Sequence, residues 1–215
     1  MDLLQKKNIV AFFFQSCILV KNYKDVRALN PLLLDFPTQF TTKRLLIRVP
    51  MAGDGIEVNE AITESLTELQ PWMPFAQKAP QLNDTEANIR EAHAKFILRE
   101  DLRLSIYDLE KGHFIGSTGL HRINWDVRSF EIGYWIHTEY SGQGYITEAV
   151  EGLIDFAVKE LGAKRIEIKC DPFNEKSRKT PEKLGFSLEG ILRQNSKSAD
   201  GKTIRDTCVF AKLFN

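Results

Sequence analysis

The order of apolar and polar residues predicts one long helix and a larger number of shorter helices and strands. In residues 145–161 the apolar positions recur every three or four residues, at Ile146, Ala149, Val150, Leu153, Ile154, Ala157, Val158 and Leu161. This spacing places them on one face of an amphipathic helix. Gly162 follows, and a glycine at this point commonly ends a helix. The pattern therefore predicts a helix with one buried face.

The remaining patterns predict strands and shorter helices. Apolar or alternating runs bounded by turn residues predict seven strands, at about 44–49, 102–109, 113–121, 130–137, 165–170, 186–193 and 203–213. Helical spacing predicts helices at about 54–69, 84–99 and 175–184. The strands between residues 102 and 137 are joined by short loops, which favours an antiparallel meander. The order predicts an α+β fold, with a mixed, mostly antiparallel sheet and helices on both faces.

Residues 1–37 do not share this regularity. An apolar run from Ile9 to Val20 follows Lys6 and Lys7. The run is short for a membrane span. Its length and basic flank fit a signal-peptide core, but no small-residue cleavage site follows it. We interpret residues 1–37 as an N-terminal extension and linker. The extension is a native segment, a targeting segment or the product of a translation start assigned too far upstream. Residues 38–215 are the predicted domain, and we expect a cytoplasmic protein without a membrane partner.

Composition and charge exclude several classes of function. The 215 residues are enough for one domain with a core. The 29 Lys and Arg balance 29 Asp and Glu, which argues against a nucleic-acid partner bound by phosphate neutralisation. Residues 1–50 are basic, so the rest is mildly acidic and suits a cationic amine. The three cysteines and four histidines show no metal-ligand spacing, so no metal site is predicted.

The segment from Glu131 to Ala149 carries the clearest chemical signal. A predicted strand leads into a loop with Gly142 and Gly144, and this loop opens the long helix. Glycine lets the backbone approach a ligand closely, and the first N–H groups of a helix favour an anion. The pattern predicts a pyrophosphate site, although a structural turn explains two glycines equally well. Thr147 replaces the third glycine of a dinucleotide-binding motif, and no Gly-Lys-Ser/Thr sequence is present.

A second segment, residues 174–186, combines a helix start with positive charge. Asn174 can cap the helix, with Ser177 at its third position. Pro181 lies inside the predicted helix, where it removes one N–H and should distort the turn. The basic residues are Lys176, Arg178, Lys179 and Lys183. They form either a solvated face or a contact to ligand phosphates.

Together these segments resemble the GNAT superfamily of N-acetyltransferases. The closest branch contains the ribosomal-protein serine/alanine N-terminal acetyltransferases and their bacterial relatives. Residues 130–136 resemble that branch's fourth strand, residues 140–149 its pyrophosphate loop and residues 174–186 its late helix. Pro71-Trp72-Met73 resembles its tryptophan-containing loop on the acceptor side. The resemblance covers about residues 38–213.

The resemblance implies a fold in which the fourth and fifth strands splay apart and hold the thiol arm of CoA between them. It implies acetyl-CoA as co-substrate, with no metal. The backbone from Ile136 to Thr138 should pair with pantetheine, and the amides from Ser141 to Ile146 should hold the pyrophosphate. The implied acetyl-CoA contacts are Ile136, His137, Thr138, Ser141, Gly142, Gln143, Gly144, Tyr145, Ile146, Thr147, Asn174 and Ser177.

Acetyl transfer to an amine requires a neutral amine, a stabilised oxyanion and a proton for the leaving thiolate. The N–H near Ile136 is the candidate oxyanion donor. Ser177, oriented by Asn174, is the candidate acid. Glu131 is the candidate base, directly or through water, although a strand glutamate is commonly paired with Lys or Arg. Cys170 is either a nucleophile or a buried apolar side chain.

Three hypotheses remain open at this point. The first is an acetyltransferase that acts on a protein N-terminus or a small amine, as a monomer or homodimer. The second is a non-catalytic acyl-CoA-binding module, and the third is a dinucleotide-binding oxidoreductase, which Thr147 disfavours. Gln194-Asn195-Ser196 occupies the stretch where some close relatives have a glutamate. This difference argues against assuming a shared base or a shared ribosomal substrate.

Overall fold

Eight strands form one sheet in the computed structural model, which describes residues 30–215. They are β1 Gln39–Thr41, β2 Leu45–Arg48, β3 Leu102–Asp108, β4 Phe114–Asn124, β5 Ser129–Ile136, β6 Arg165–Cys170, β7 Ser187–Lys197 and β8 Ile204–Leu213. Their order is β1-β2-β3-β4-β5-β6-β8-β7, and every neighbouring pair is antiparallel except β5 and β6. The predicted fold class is confirmed. The additional strand, β1, has only three residues and pairs with β2 alone.

The helices are α1 Gly55–Glu64, α2 Leu66–Leu69, α3 Leu82–Ile97, α4 Tyr145–Leu161 and α5 Glu175–Lys183. The bounds of α4 match the prediction, and Gly162 ends it with φ of 65°. The single helix predicted at 54–69 is instead two helices that meet at Ser65. Ser65 is fully buried, and its hydroxyl oxygen accepts a hydrogen bond from the Thr138 N–H at 2.9 Å. This long-range contact explains the interruption.

Helices cover both faces of the sheet. The larger apolar cluster contains Leu102, Leu104 and Ile106 of β3 together with the buried stripe of α4. The smaller cluster contains Tyr107 of β3 together with residues of α1 and α3. Successive side chains of a strand point to opposite faces, so the two clusters lie on opposite sides of the sheet.

Part of the predicted linker packs against the domain. The Phe36 ring lies edge-on to Phe96 and Phe156, with centroid distances of 5.8 and 6.0 Å. The Arg99 guanidinium donates to the Leu34 carbonyl at 2.9 Å. The apolar run at residues 9–20 and Cys17 lie outside the described residues, so the domain boundary remains a prediction. None of the helices within residues 30–215 is long and apolar enough to cross a membrane.

Glu148 fixes the first turn of α4 against the turn between β1 and β2. Its carboxylate accepts hydrogen bonds from the Thr42 hydroxyl at 2.6 Å, the Arg44 backbone N–H at 2.8 Å and Arg44 Nε at 2.6 Å. Burial acts to raise the pKa of Glu148, but these bonds outweigh it and lower the pKa. The helix dipole also favours a negative charge in this first turn. The start of α4 therefore has a defined position relative to β2.

Replacing Glu148 with glutamine should lower the free energy of unfolding near neutral pH by about 2 kcal/mol, because charged hydrogen bonds are lost. Since the folded-state pKa is lowered, this stabilisation is present above the unfolded pKa and is lost as the pH falls through the folded pKa. Urea unfolding of wild type and variant at several pH values measures the difference, which should vanish in acid. Glu151→Gln, an exposed change in the same helix, is the control and should cost under about 0.5 kcal/mol. Equal effects of the two changes would contradict the expectation.

Candidate active site

The site begins where β5 and β6 separate. They pair from Ser129 and Arg165 as far as Ile132 and Ile168. Beyond Ile132, β5 continues to Ile136 with only β4 beside it. A gap therefore opens along the last residues of β5. Because β1 adds one strand, β5 and β6 correspond to the fourth and fifth strands of the predicted fold, and their expected splay is confirmed.

The backbone of Ile136 faces this gap. The next residue, His137, donates its N–H to the Ile115 carbonyl of the neighbouring strand edge at 2.8 Å. In an antiparallel pair the backbone groups of successive residues point to opposite sides. The Ile136 N–H and C=O therefore point away from β4. The neighbouring N–H of Thr138 is bound to Ser65, so among these three residues Ile136 has the N–H best placed to meet a ligand.

A cavity of about 950 Å³ occupies the gap and the space in front of α4. One wall is formed by the chain after α1, including Leu69, Pro71, Trp72 and Met73, where the sequence resemblance predicts the acceptor side. The predicted acetyl-CoA contacts that line it are Ile136, Thr138, Ser141, Gly142, Gly144, Tyr145, Ile146, Thr147, Asn174 and Ser177. The fold thus brings together residues from β5, the glycine loop and α5.

Two predicted contacts, His137 and Gln143, do not line the cavity. The His137 side chain is buried and its Nε2 lies 2.8 Å from a Glu64 carboxylate oxygen. Gln143 donates from Nε2 to the Glu139 carbonyl at 2.9 Å. Both side chains therefore contribute to the structure of the loop between β5 and α4.

The glycine loop has a backbone that suits an anion. Gly142 and Gly144 have φ of 78° and 83°, in the left-handed region that favours glycine. Gly144 is the residue from which α4 starts, and α4 is 17 residues long. The first N–H groups of such a helix have no partner within it, and its dipole adds positive potential.

Three lysines of α5 add positive charge to the same cavity. Lys176, Lys179 and Lys183 line its wall, together with two carboxylates, Glu175 of α5 and Glu68 of α2. Within the described part of the chain, none of these lysines has a carboxylate oxygen within 4.0 Å. Their charges are therefore available to a ligand phosphate.

Ser177 and Tyr134 place two hydroxyl groups together at the cavity. The Tyr134 hydroxyl donates to the Ser177 carbonyl at 2.8 Å and lies 3.3 Å from Ser177 Oγ. Asn174 caps α5 as predicted, since its Oδ1 accepts from the Ser177 N–H at 3.0 Å. Burial raises the pKa of Tyr134, which keeps its hydroxyl protonated at neutral pH. Sequence reasoning did not single out Tyr134, although strand alternation places it on the same side of β5 as Ile136.

Glu131, the predicted base, does not line the cavity. Its carboxylate forms ion pairs with Arg122 and with Lys169, the latter at 3.0 Å. Lys169 also contacts Glu167 at 2.9 Å. The placement matches the alternative interpretation, a strand glutamate paired with basic residues, and the base role remains a prediction without support from this geometry.

Comparison with known proteins decides the family. The model of the acetyltransferase (GNAT) domain matches residues 44–187, more than half of the chain. The chain belongs to the GNAT family of N-acetyltransferases. The resemblance inferred from sequence is confirmed, and the dinucleotide-binding alternative is set aside.

Two curated relatives of this GNAT protein illustrate the branch. The Bacillus subtilis (strain 168) protein named "Putative ribosomal N-acetyltransferase YdaF" is 34% identical over 159 residues, covering 72% of this chain and 85% of YdaF. The ribosomal-protein-serine acetyltransferase of Escherichia coli (strain K12) is 29% identical over 125 residues, covering 57% of this chain and 70% of that protein.

Solved structures share the fold of this GNAT protein. The microcin C7 self-immunity acetyltransferase MccE, in complex with acetyl-CoA and AMP, aligns with a TM-score of 0.76 at 24% identity, covering 83% of this chain and 98% of MccE. RimL, a ribosomal L7/L12 α-N-protein acetyltransferase in complex with CoA, aligns with a TM-score of 0.74 at 17% identity, covering 83% of this chain and 97% of RimL.

Cys170 of this GNAT protein lies at the end of β6, opposite Cys208 of β8. Burial, with a smaller contribution from Cys208, raises the pKa of the Cys170 thiol to about 12. The thiolate is the nucleophilic form of cysteine. Cys170 is therefore poorly suited to accept an acetyl group at neutral pH, which favours its interpretation as a small packing residue.

Alkylation tests this conclusion directly. Cys170 should react with iodoacetamide at least about a hundredfold more slowly than glutathione near neutral pH, because so little thiolate is present. The rate should rise as the pH increases towards the thiol pKa. Site-resolved mass spectrometry measures the modification of each cysteine separately. A Cys170 that reacts as fast as glutathione would reinstate it as a candidate nucleophile.

Proposed function

We propose that this protein transfers an acetyl group directly from acetyl-CoA to a primary amine, on a protein N-terminus or a small molecule. The observation that carries the proposal is the position of the Ile136 N–H at the open edge of β5, beside the glycine loop at the start of α4. A thioester oxygen next to this N–H would be stabilised as it gains negative charge. Family membership supports the reaction type.

The glycine loop and the lysines of α5 are the proposed site of the CoA phosphates. The amides from Ser141 to Ile146 would hold the pyrophosphate. The Ser141 N–H also donates to the Thr138 carbonyl at 3.0 Å, whereas the amides after it combine N–H groups without a backbone partner in the described chain with the dipole of α4. Lys176, Lys179 and Lys183 would add charge attraction. The gap along β5 would then receive the pantetheine arm, with the Ile136 backbone as its pairing partner.

Tyr134 and Ser177 are the proposed hydroxyls at the leaving thiolate. An unperturbed phenol has a pKa of about 10, and so is a much better acid than a serine hydroxyl. We therefore assign proton donation to Tyr134 and a supporting hydrogen bond to Ser177. Glu131 is held in ion pairs and does not line the cavity. It would therefore accept the proton of the amine through a water molecule and not directly.

The names of the relatives favour a protein N-terminus as acceptor. YdaF is named for ribosomal N-acetylation, and the Escherichia coli relative for a ribosomal-protein serine. The chain has Gln194-Asn195-Ser196 where some close relatives have a glutamate, so a shared substrate is not assumed. A binding module without turnover is the remaining alternative, and an assay of CoA release separates the two.

Calorimetry with acetyl-CoA tests the phosphate site. The wild type should bind with a dissociation constant in the micromolar range. Changing both Gly142 and Gly144 to glutamate should abolish binding, because side chains and negative charge would occupy the place of the pyrophosphate. Gly201→Glu, at a glycine that also has positive φ but lies in the β7–β8 turn, is the matched control and should bind normally. A folded wild type that does not bind acetyl-CoA would overturn the proposed function.

Kinetics of the Tyr134→Phe variant test the proton donor. Its kcat should fall by roughly 10²-fold, the lower end of typical acid–base contributions, while the KM for acetyl-CoA changes little. Ser177→Ala should have a smaller effect. Tyr107→Phe, in β3 and outside the lining of the cavity, is the control and should leave kcat near the wild-type value. An unchanged kcat in Tyr134→Phe would contradict the assignment.

A further inference from the structure

A second cavity, of about 220 Å³, lies on the face of the sheet opposite α4. It is lined by residues of α1, α3 and the strands β3, β4 and β5. Seven apolar residues line it, among them Phe75, Ile89, Phe114 and Trp135, together with six polar residues, among them Asp84 and Ser117. Neither the acetyl-CoA site nor the proposed proton donor uses this space.

Trp135 lies next to both cavities, since it is the one residue that the two linings share. The indole packs against Phe114 and Phe75, with ring centroids 5.6 and 6.0 Å away. Trp135 directly precedes Ile136, whose N–H is assigned to the thioester oxygen. An extended peptide advances roughly 3.4 Å per residue. A peptide with its amine at Ile136 would therefore pass Trp135 within its first two residues.

The size of the cavity matches a small ring. An apolar cavity of about 150 Å³ is enough to bind benzene, and the second cavity is larger. Polar groups also line it, and among them the Arg103 guanidinium donates to the Asn88 side chain at 2.7 Å and to the Asn88 carbonyl at 2.9 Å. The apolar residues of the lining are aliphatic and aromatic, so their contact with an apolar side chain would be favourable.

We propose that the second cavity binds a phenyl-sized apolar side chain carried by the first or second residue of the acceptor. The cavity would then select acceptors that have phenylalanine or leucine at one of these positions. The inference rests on the proposed acetyl transfer, since it assumes an amine positioned at the end of β5.

Peptides that differ only in these two side chains test the selection. The wild type should acetylate the best phenylalanine or leucine peptide with a kcat/KM at least roughly tenfold above that of the glycine peptide. Ile89→Ala enlarges the cavity and should shift the preference towards tryptophan. Ser117→Leu narrows the cavity and should remove the preference. Ile97→Ala makes the same change on an exposed part of α3 and should keep the wild-type profile.

Two further measurements separate this inference from the proposed function. Calorimetry of every variant with acetyl-CoA shows whether the donor site is intact, and a wild type that acetylates no amine would refute the transferase proposal. Toluene binding, followed by saturation-transfer NMR, tests the cavity without any turnover. Binding that Ser117→Leu abolishes would support the inference. Absence of toluene binding, or an unchanged side-chain preference in Ile89→Ala and Ser117→Leu proteins that still bind acetyl-CoA, would overturn it.

Discussion

The parallel pairing of β5 with β6 stops at Ile132 and Ile168, while β5 itself continues to Ile136. A parallel pair requires a crossover connection, and here α4 supplies it. The connection has to leave from the end of β5, which is also where the gap opens. The N-terminus of α4 and the free edge of β5 are therefore adjacent as a consequence of topology. One loop can then combine unpaired helix N–H groups with an unpaired strand N–H.

The junction between α1 and α2 holds this loop in place from the other side of the sheet. Ser65 accepts the Thr138 N–H, and Glu64 contacts the His137 side chain at 2.8 Å. Glu64 is the last residue of α1, and Ser65 directly precedes α2. From α2 the chain continues to Trp72, which lines the cavity. The same junction thus positions both the start of the glycine loop and the cavity wall that contains Trp72. Buried polar groups need partners. The buried Ser65 hydroxyl and His137 side chain find theirs across this contact, which joins the α1–α2 junction to the loop after β5.

Local patterns were sufficient to predict the elements whose stability is mainly local. The stripe of α4 and the glycine after it define both ends of that helix, and the Asn174 cap defines the start of α5. Contacts between distant residues were not predictable in the same way. The break at Ser65 depends on Thr138, and the ion pairs of Glu131 depend on Arg122 and on the register that brings Lys169 close. Tyr134 could have been found from strand alternation, but its contact with Ser177 required the fold.

The proposed CoA site and the proposed acceptor pocket differ in whether backbone groups or side chains form them. The proposed CoA contacts are largely backbone N–H groups. Their positions are determined by Gly142, Gly144 and the divergence of β5 from β6. Arg44 near the same loop is already neutralised by Glu148 at 2.6 Å, whereas the lysines of α5 keep their charge for a ligand. The proposed acceptor pocket depends on side chains from α1, α3 and three strands, which can vary while the fold stays constant. Family membership therefore supports the proposed donor, whereas the proposed acceptor has to be inferred from the shape of the space beside Trp135.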